Sequence, residues 1–485
     1  MGRLTKQLIW PAILAIFASG CAVGPNYKRP TVNAPEQFRS ALTPAEQASL
    51  ADLPWWGVFK DEALQRLIAE ALANNYDLRV AVTRVEQARQ IAAQARAQFF
   101  PQIGYDGTVA KGRNSFLATP SPSGGTTEDS GLLSLNVFWE MDFWGRIRRL
   151  NESARAQYLA TEEGRRGVVV SLVSSVAQAY LELLELDLEL EIAKKNTKSF
   201  EGTLKIFSQR LEGGAASKLE TSSAEGLVGA VAANIPELER QIVLKENQIN
   251  VLLGRNPGPI ERGAPLLGQA SPPEIPAGLP SALMERRPDI RQAEQNLRAA
   301  NAQIGVAVAN FFPQIGLTTL LGKVSPELSA FTAGSANMWA VAGTMTGPIF
   351  QGGALVAQYR QAKAVWEEAK LNYERTALNA FQEVSDALIS RQKYEATVAQ
   401  QSRAVRAYTE AVQVSVKRYI AGKASYYEVL QNQQNLFPAE TVLAQSEFNE
   451  LLAIVQLYKA LGGGWQGGDG ADSPTALALP GAVGK

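Results

Sequence analysis

The sequence predicts an α+β membrane protein made of two tandem copies of one structural unit, in which strand hairpins alternate with very long helical hairpins. The hexapeptide Phe-Phe-Pro-Gln-Ile-Gly occurs at residues 99–104 and again at 311–316, an offset of 311 − 99 = 212 residues. Each copy is followed by strand-like alternation, and then by helical heptads of unusual length. Because solenoid repeats are far shorter, a long period that occurs only twice indicates duplication of a whole half.

The duplication extends well beyond the hexapeptide. Upstream the offset stays at 212, so that Asp77 and Arg79 recur as Asp289 and Arg291. Downstream it shortens to 418 − 210 = 208 residues. The pairs related by this shorter offset are Arg210 and Arg418, Gly214 and Gly422, Ser217 and Ser425, and Glu220 and Glu428.

Segments of about ten residues after each hexapeptide have the period of a β-strand. Apolar residues alternate with polar or small ones at 102–109 and 133–142, and more weakly at 315–321 and 337–347. Strands that are apolar outside and polar inside are what a membrane barrel requires. A soluble hairpin with one wet face is the alternative. Loops rich in Ser, Thr, Gly and Pro are expected at 111–130 and at 323–335.

The helical regions carry the clearest signal. The residues seven positions apart from Val176 to Leu211 are apolar except Thr197, and a second, apolar set follows three residues later, which predicts coiled-coil packing. A single helix over 146–212 would be about 100 Å long. Glycines at 213, 214 and 422 predict the turns, with return helices over about 217–253 and 425–461.

The amino terminus has the layout of a bacterial export signal. Arg3 and Lys6 precede an apolar run over 8–18, small residues follow, and Cys21 comes directly after Gly20. Cys21 is the only cysteine, so it cannot staple the fold and its value is chemical. The sequence Ala18-Ser19-Gly20-Cys21 resembles a lipoprotein signal, which implies that Cys21 becomes the acylated amino terminus. The alternative is a buried free thiol in a protein with an ordinary cleaved signal.

Composition argues against an enzyme and against a nucleic-acid partner. The chain has 47 basic and 47 acidic residues, so its balanced charge implies no polyanion partner. It has no histidine, so it lacks both the commonest general base and the commonest metal ligand. The carboxylate pairs Glu162-Glu163 and Glu367-Glu368 lie on long helices and are expected to be solvated. We therefore predict no catalytic residues, no metal site and no cofactor.

Four strands cannot close a barrel, because small closed barrels need about eight. Open strand edges cannot remain in lipid, where each backbone polar group must be paired. The chain should therefore oligomerise, and two chains would supply eight strands while three would supply twelve.

Taken in order, the sequence divides into ten segments. These are a signal peptide (1–20), an extended lipid-anchored segment (21–56), first-half helices (57–98), the first β-hairpin (99–143), the first long helical hairpin (144–254), a linker (255–280), a second-half helix (281–310), the second β-hairpin (311–350), the second long helical hairpin (351–462) and a disordered tail (463–485).

The export signal, Cys21, Arg287-Pro288-Asp289-Ile290, the Phe-Phe-Pro repeats and the segment at 457–462 together resemble the outer membrane factors. These are the TolC-like exit ducts of tripartite efflux pumps, and the match is to their lipoprotein subclass. The resemblance implies a homotrimer with a shared twelve-stranded barrel above a long α-helical barrel. It also implies acylation of Cys21, sorting to the outer membrane, contact with a periplasmic adaptor protein and coupling to an inner-membrane pump.

By the same resemblance the helical turns are the periplasmic tips, where the duct closes. Glu428 matches an acidic constriction ring, whereas Gln431 stands where the family often has a second acid. Tyr419 matches a residue that holds the closed state, with Glu220 as its acceptor in the neighbouring hairpin. Residues expected at the tips and in contact with the adaptor are Arg210, Gly214, Ser217, Arg418, Gly422 and Ser425. The alternative is that these are ordinary polar residues at helix ends.

The resulting prediction is a passive efflux duct for drugs or other small toxic compounds. Two alternatives stay open at this stage. A duct of a protein secretion system would have the same fold, and a lipid-anchored periplasmic coiled-coil scaffold would form no channel.

Overall fold

The computed structural model describes residues 22–39, 49–113, 127–269, 278–325 and 330–465. Within them, the α-helices are α1 (Trp55–Val58), α2 (Glu62–Asn74), α3 (Tyr76–Ala97), α4 (Arg146–Glu212), α5 (Lys218–Ala232), α6 (Asn234–Leu252), α7 (Leu283–Arg286), α8 (Pro288–Ala309), α9 (Ala354–Ile420) and α10 (Tyr426–Ala460). The strands are β1 (Gln102–Arg113), β2 (Thr127–Met141), β3 (Gln314–Ser325) and β4 (Asn337–Thr346). The signal peptide and Cys21 lie outside the described residues.

The chain forms two compact units, each assembled from separate stretches of sequence. The first comprises Met1–Thr31, Arg84–Glu162 and Gln292–Glu374, and it contains the four strands. The second comprises Val32–Thr83, Glu163–Arg291 and Arg375–Lys485, and it contains both helical turns.

In the first unit, both hairpins join in one antiparallel sheet with the order β1-β2-β3-β4. The register pairs Tyr105 with Leu135 and Leu135 with Leu321, so the apolar positions of neighbouring strands share a face. Side chains on this face are open to solvent in the single chain: Tyr105 is 80% exposed and Trp339 75%. Among the described residues, β1 and β4 are paired on one side only.

The repeated Phe-Phe-Pro motif forms the junction from helix to strand. Proline cannot donate the next helical hydrogen bond, so α3 and α8 end before it. In each copy, a backbone carbonyl also accepts a hydrogen bond from a tryptophan side chain, which lies in β2 or just after it. Trp139 donates to the Phe99 carbonyl at 3.0 Å, and Trp144 donates to the Pro313 carbonyl at 2.8 Å.

Helices α4 and α9 have 67 residues each, which corresponds to about 100 Å. In the second unit several heptad positions of α4 are buried, including Val176, Leu183 and Phe207, whereas Leu186 and Leu190 are partly buried. A stretch of α4 is apolar enough to cross a membrane by composition, but most of it is buried inside the protein, as in a core helix. Glu440 on α10 is also buried and accepts hydrogen bonds from Lys195 and Asn196 of α4.

Asp61 caps α2 and also holds the start of the inter-repeat segment in the second unit. Its carboxylate accepts from the amides of Ala63 at 2.8 Å and Ala264 at 3.2 Å. It also accepts from the Leu64 amide at 3.3 Å and from two side chains, Gln269 at 2.8 Å and Tyr180 at 3.1 Å. Residues 255–269, expected to be a linker, are therefore packed against the helices.

Several boundaries differ from those expected. The return helix over 217–253 is interrupted at Ala233, because Pro236 in the next turn cannot donate to a carbonyl of α5. The loops expected at 111–130 and 323–335 are shorter, since β1 runs to Arg113, β2 starts at Thr127 and β3 ends at Ser325.

Two expectations about exposure are wrong. Glu163 is buried rather than solvated, and its carboxylate pairs with Arg166 and Arg291, each at 2.8 Å. The tail expected to be disordered from 463 is ordered as far as Trp465, which donates to the Arg286 carbonyl at 3.2 Å and lies 4.6 Å from the Arg166 guanidinium. The rest of that tail, 466–485, lies outside the described residues.

Candidate functional site

The ends of the two helical hairpins, both in the second unit, have the same backbone geometry. Helix α4 ends in a turn where Gly214 has φ +71° and the Ala215 amide donates to the Arg210 carbonyl at 2.7 Å. Helix α9 ends in a turn where Gly422 has φ +71° and the Lys423 amide donates to the Arg418 carbonyl at 2.8 Å. Glycine is favoured at both positions because a side chain would be strained at this φ.

Each return helix then starts at a serine followed three residues later by a glutamate. In the first hairpin, Ser217 precedes α5 and its amide donates to the Glu220 carboxylate at 3.3 Å. In the second, the Ser425 hydroxyl accepts from the Glu428 amide at 3.4 Å. The two glutamates are therefore equivalent in backbone position.

The two glutamates nevertheless have different partners. Glu220 accepts a hydrogen bond from the Tyr419 hydroxyl at 2.7 Å, which links the first hairpin to the second within one chain. Glu428 instead pairs with Arg418 of its own hairpin at 3.3 Å, and its side chain remains 37% exposed. The difference arises because position 211, the repeat equivalent of Tyr419, is leucine.

Arg210 holds Tyr419 from the other side. It donates to the Tyr419 carbonyl at 2.8 Å, and its guanidinium lies 4.6 Å from the centre of the tyrosine ring. Beneath this ring lies an apolar cluster that includes Phe207, whose ring centre is 4.8 Å away, together with Val429 and Leu430. Tyr419 is thus fixed by packing as well as by hydrogen bonds.

Burial raises the pKa of the Tyr419 hydroxyl to about 12, and the hydrogen bond to Glu220 adds to the effect. The phenol therefore stays protonated, and remains a donor, well above neutral pH. Because its acceptor is a carboxylate, the bond is of the stronger, charge-assisted kind.

Sequence reasoning grouped these residues at the tips, and the structure brings Tyr419, Glu220 and Arg210 together. It places Glu428 beside Arg418, a pairing that the sequence did not suggest. Gln431 lies one turn further along α10 and donates to Asn435 at 3.3 Å, a partner that lies further along the same helix and away from the turn. Among the described residues, no cluster of three acidic or cysteine side chains could hold a metal ion.

Comparison with known proteins defines the class. The family model for the outer membrane efflux protein matches residues 67–255 and 279–463. The toluene efflux pump outer membrane protein TtgC of Pseudomonas putida is 35% identical over 468 residues, which cover 95% of this chain and 96% of the relative. The probable outer membrane lipoprotein SilC of Salmonella typhimurium is 34% identical over 469 residues, covering 95% and 99% respectively.

A solved structure supports the same assignment. The outer-membrane channel OprN superposes with a TM-score of 0.83 at 30% identity, covering 92% of this chain and all of OprN. The chain belongs to the outer membrane efflux protein family. It acts in efflux at the outer membrane, as expected from the resemblance.

Proposed function

We propose that this chain is the passive exit duct of a tripartite efflux pump, and that three copies form one channel. The observation that carries the proposal is the four-stranded sheet, which has an exposed apolar face and two strands that are each paired on one side among the described residues. Lipid cannot pair those free backbone groups, so β1 of one copy must pair with β4 of another. Three copies give a twelve-stranded barrel, the number favoured by the family resemblance.

We infer that the tips form the gate. The Tyr419–Glu220 bond joins the two hairpins of one chain, and Arg210 holds Tyr419 in place by donating to its carbonyl. A channel that must open needs contacts that can be released individually, and a hydrogen bond of this kind contributes roughly 1.5–3 kcal/mol. Separating the hairpins breaks this bond without unfolding either turn, since each turn keeps its own backbone hydrogen bonds.

Glu428 would line the constriction. If three copies converge, each pair of carboxylates a few ångströms apart repels by about 1 kcal/mol in water, and by more in a confined lumen. The pairing of Glu428 with Arg418 lowers this repulsion, and the exposed part of the carboxylate can still attract cations.

The proposed partners follow from the same arrangement. The adaptor protein would contact the surfaces around the two turns, where Arg210, Ser217, Arg418 and Ser425 recur in equivalent positions. The inner-membrane pump would supply the energy. The relatives differ in their named cargo, since TtgC belongs to a toluene efflux pump and CusC of Escherichia coli to a cation efflux system. The proposed cargo is therefore drugs or other small toxic compounds rather than one chemical class.

We also propose that Cys21 carries the lipid anchor. It is the only cysteine and directly follows the export signal. Acyl chains would add to the anchoring that the barrel already provides. Mass spectrometry of the mature amino terminus tests this: an unmodified thiol at Cys21 would refute it, and Cys21→Ser is the control that cannot be acylated.

Three measurements test the central proposal in turn. The purified protein is first weighed by native mass spectrometry, where a trimer is expected and a stable monomer or dimer would overturn the closure argument. It is then reconstituted into planar bilayers, where a scaffold would give no conductance. Finally, toluene tolerance is measured in a host that lacks its own efflux duct but carries the cognate pump and adaptor. A protein that conducts in bilayers but gives no toluene tolerance would favour a secretion duct, if cells without this chain also fail to release an exported protein into the medium.

A further inference from the structure

Residues 22–29 lie extended along the first unit, between the start of α4 and helix α8. The Val23 amide donates to the Trp144 carbonyl at 3.0 Å, just before α4 begins. On the other side, the Asn301 side chain of α8 donates to the Pro25 carbonyl at 2.9 Å. This short segment therefore connects the first repeat, through α4, with the second repeat, through α8.

Arg149 of α4 contacts this segment most extensively. Its guanidinium donates to the Val23 carbonyl at 3.2 Å, to the Gly24 carbonyl at 3.3 Å and to the Asn26 side chain at 2.7 Å. Arg149 is only 4% exposed. A buried guanidinium needs hydrogen-bond partners, and the amino-terminal segment supplies three of them.

The fit is close enough to require glycine on both sides. A Cβ atom on Gly24 would lie 2.5 Å from the Cα of Gly305 on α8, and Gly24 has φ +90°. A Cβ atom on Gly145 would lie 2.6 Å from the Cα of Ala22. Side chains at these positions would force the segment out of its groove.

A buried carboxylate fixes the far end of the segment. Glu294 of α8 is 5% exposed and accepts from the Tyr27 hydroxyl at 3.2 Å. It also pairs with Arg29 at 2.7 Å and with Arg298 at 2.8 Å. The Arg298 guanidinium in turn lies 4.9 Å from the centre of the Tyr27 ring.

The internal duplication shows that this groove is specific to one repeat. Glu294, Asn301 and Gly305 correspond, by the offset of 212, to positions 82, 89 and 93, and Arg149 corresponds, by the offset of 208, to position 357. The residues at those positions are Val82, Arg89, Ala93 and Ala357, all exposed. None of them offers the same charge, amide or space. Within its described residues, the chain thus contains one such groove, matched to its one amino-terminal segment.

We propose that residues 22–29 are a clasp that fixes the lipid-bearing terminus to the junction between β2 and α4. The proposal rests on the proposed acylation of Cys21. Consecutive Cα atoms are about 3.8 Å apart, so an acyl group on Cys21 begins one residue from Ala22, which lies against Gly145. The lipid chains and the sheet then enter the outer membrane side by side, instead of being joined by a loose tether. Arg149, Asn301 and Glu294 are the positioning residues.

Amide hydrogen exchange of residues 22–31, followed by mass spectrometry on the full-length purified protein, tests the clasp. In the wild type the Val23 amide, which donates to the Trp144 carbonyl, should exchange much more slowly than in a free chain. Gly24→Val should accelerate exchange of this amide at least about tenfold, because the segment can no longer enter the groove. Asn301→Ala should accelerate it less, and the repeat-equivalent control Arg89→Ala should leave it unchanged.

The acylation state is measured on the same samples, so the two proposals can fail separately. Cys21→Ser should remove the lipid and leave exchange of the Val23 amide slow, since no contact of the clasp involves the acyl group. An unmodified Cys21 in the wild type would refute the lipid anchor alone. Exchange at the free-chain rate in the wild type, or unchanged exchange in Gly24→Val, would overturn the clasp.

Discussion

The Tyr419 hydroxyl donates a 2.7 Å hydrogen bond to one oxygen of Glu220, and the other oxygen accepts from the Ser217 amide at 3.3 Å. A single carboxylate therefore caps a helix of the first hairpin and binds the second hairpin. The acceptor of the proposed gate contact is therefore a carboxylate that is already held at the start of α5.

Tyr419→Phe removes the hydroxyl and keeps the ring in its apolar cluster. We expect the tips to separate more readily and single-channel conductance in planar bilayers to rise, because a bond of roughly 1.5–3 kcal/mol is lost. Tyr427→Phe is the matched control, since Tyr427 is 65% exposed at the start of α10, the return helix of the same hairpin. Equal conductance in the wild type and Tyr419→Phe would mean that this bond does not hold the duct closed.

The pKa of Tyr419 adds a prediction about pH. Burial and the bond to Glu220 raise this pKa from its usual 10 to about 12. A raised pKa means that the bond's contribution is complete below pH 10 and is lost as the pH approaches 12. Conductance of the wild type should therefore rise over that interval toward the value of Tyr419→Phe, which should itself change little.

Glu428→Ala should act on selectivity rather than on closure. Removing the exposed carboxylate lowers the negative potential at the tip, so cation preference and block by divalent ions should both weaken. Reversal potentials in asymmetric salt, recorded with and without a divalent cation, measure both effects. Glu410→Ala, which removes an exposed acid of α9 away from the turn, is the control. Unchanged selectivity in Glu428→Ala would place the constriction elsewhere.

The sequence predicted the repeated parts of this site better than the parts in which the repeats differ. Glycine at 214 and 422 predicted both turns, because few other residues adopt φ +71°. The offset of 208 also predicted that Glu220 and Glu428 are equivalent. It could not predict that they bind different partners, since that depends on which side chains the two hairpins bring together.

The burial of a side chain was equally hard to predict where it depends on residues that are far away in the sequence. Glu163 pairs with Arg291, 291 − 163 = 128 residues later, and no local pattern indicates that the two meet. Pro236 accounts for the interruption at Ala233, but a proline alone could not predict it, because α10 continues through Pro438. The pairing of β2 with β3, which joins the two hairpins in one sheet, depends on contacts between the halves and has no local signal.

Asp61→Ala should lower the thermal midpoint clearly. The substitution removes a helix cap and leaves the Tyr180 hydroxyl and the Ala264 amide without their acceptor, a combined loss of about 2–4 kcal/mol. Asp77→Ala, at an exposed position of the next helix, is the control. Differential scanning calorimetry of both variants should separate them, and equal midpoints would show that the cap and its partners contribute little.

The same residue should make stability depend on acid. Burial alone would raise the pKa of Asp61, but hydrogen bonds from Gln269, Leu64, Ala63 and Tyr180 hold it below its usual 3.8. The stabilising contribution is therefore present above pH 3.8 and disappears as the pH falls through the lowered value. The difference in midpoint between the wild type and Asp61→Ala should shrink in that range.

Glu185 of α4 should have the opposite pH dependence. Its side chain is buried, and burial first, with Glu189 and Glu182 adding, raises its pKa from 4.5 to about 8, although Lys245 opposes the shift. The folded protein thus favours the protonated carboxyl. Ionisation destabilises it increasingly between pH 4.5 and about 8, by at most about 1.4 kcal/mol per pH unit.

Glu185→Gln, which is neutral at every pH, removes this dependence. We expect its thermal midpoint to match that of the wild type near pH 4.5 and to exceed it by several degrees above pH 8. Glu191→Gln, an exposed position on the same helix, should follow the wild type throughout. A midpoint difference that is the same at both pH values would show that ionisation of Glu185 does not destabilise the folded protein.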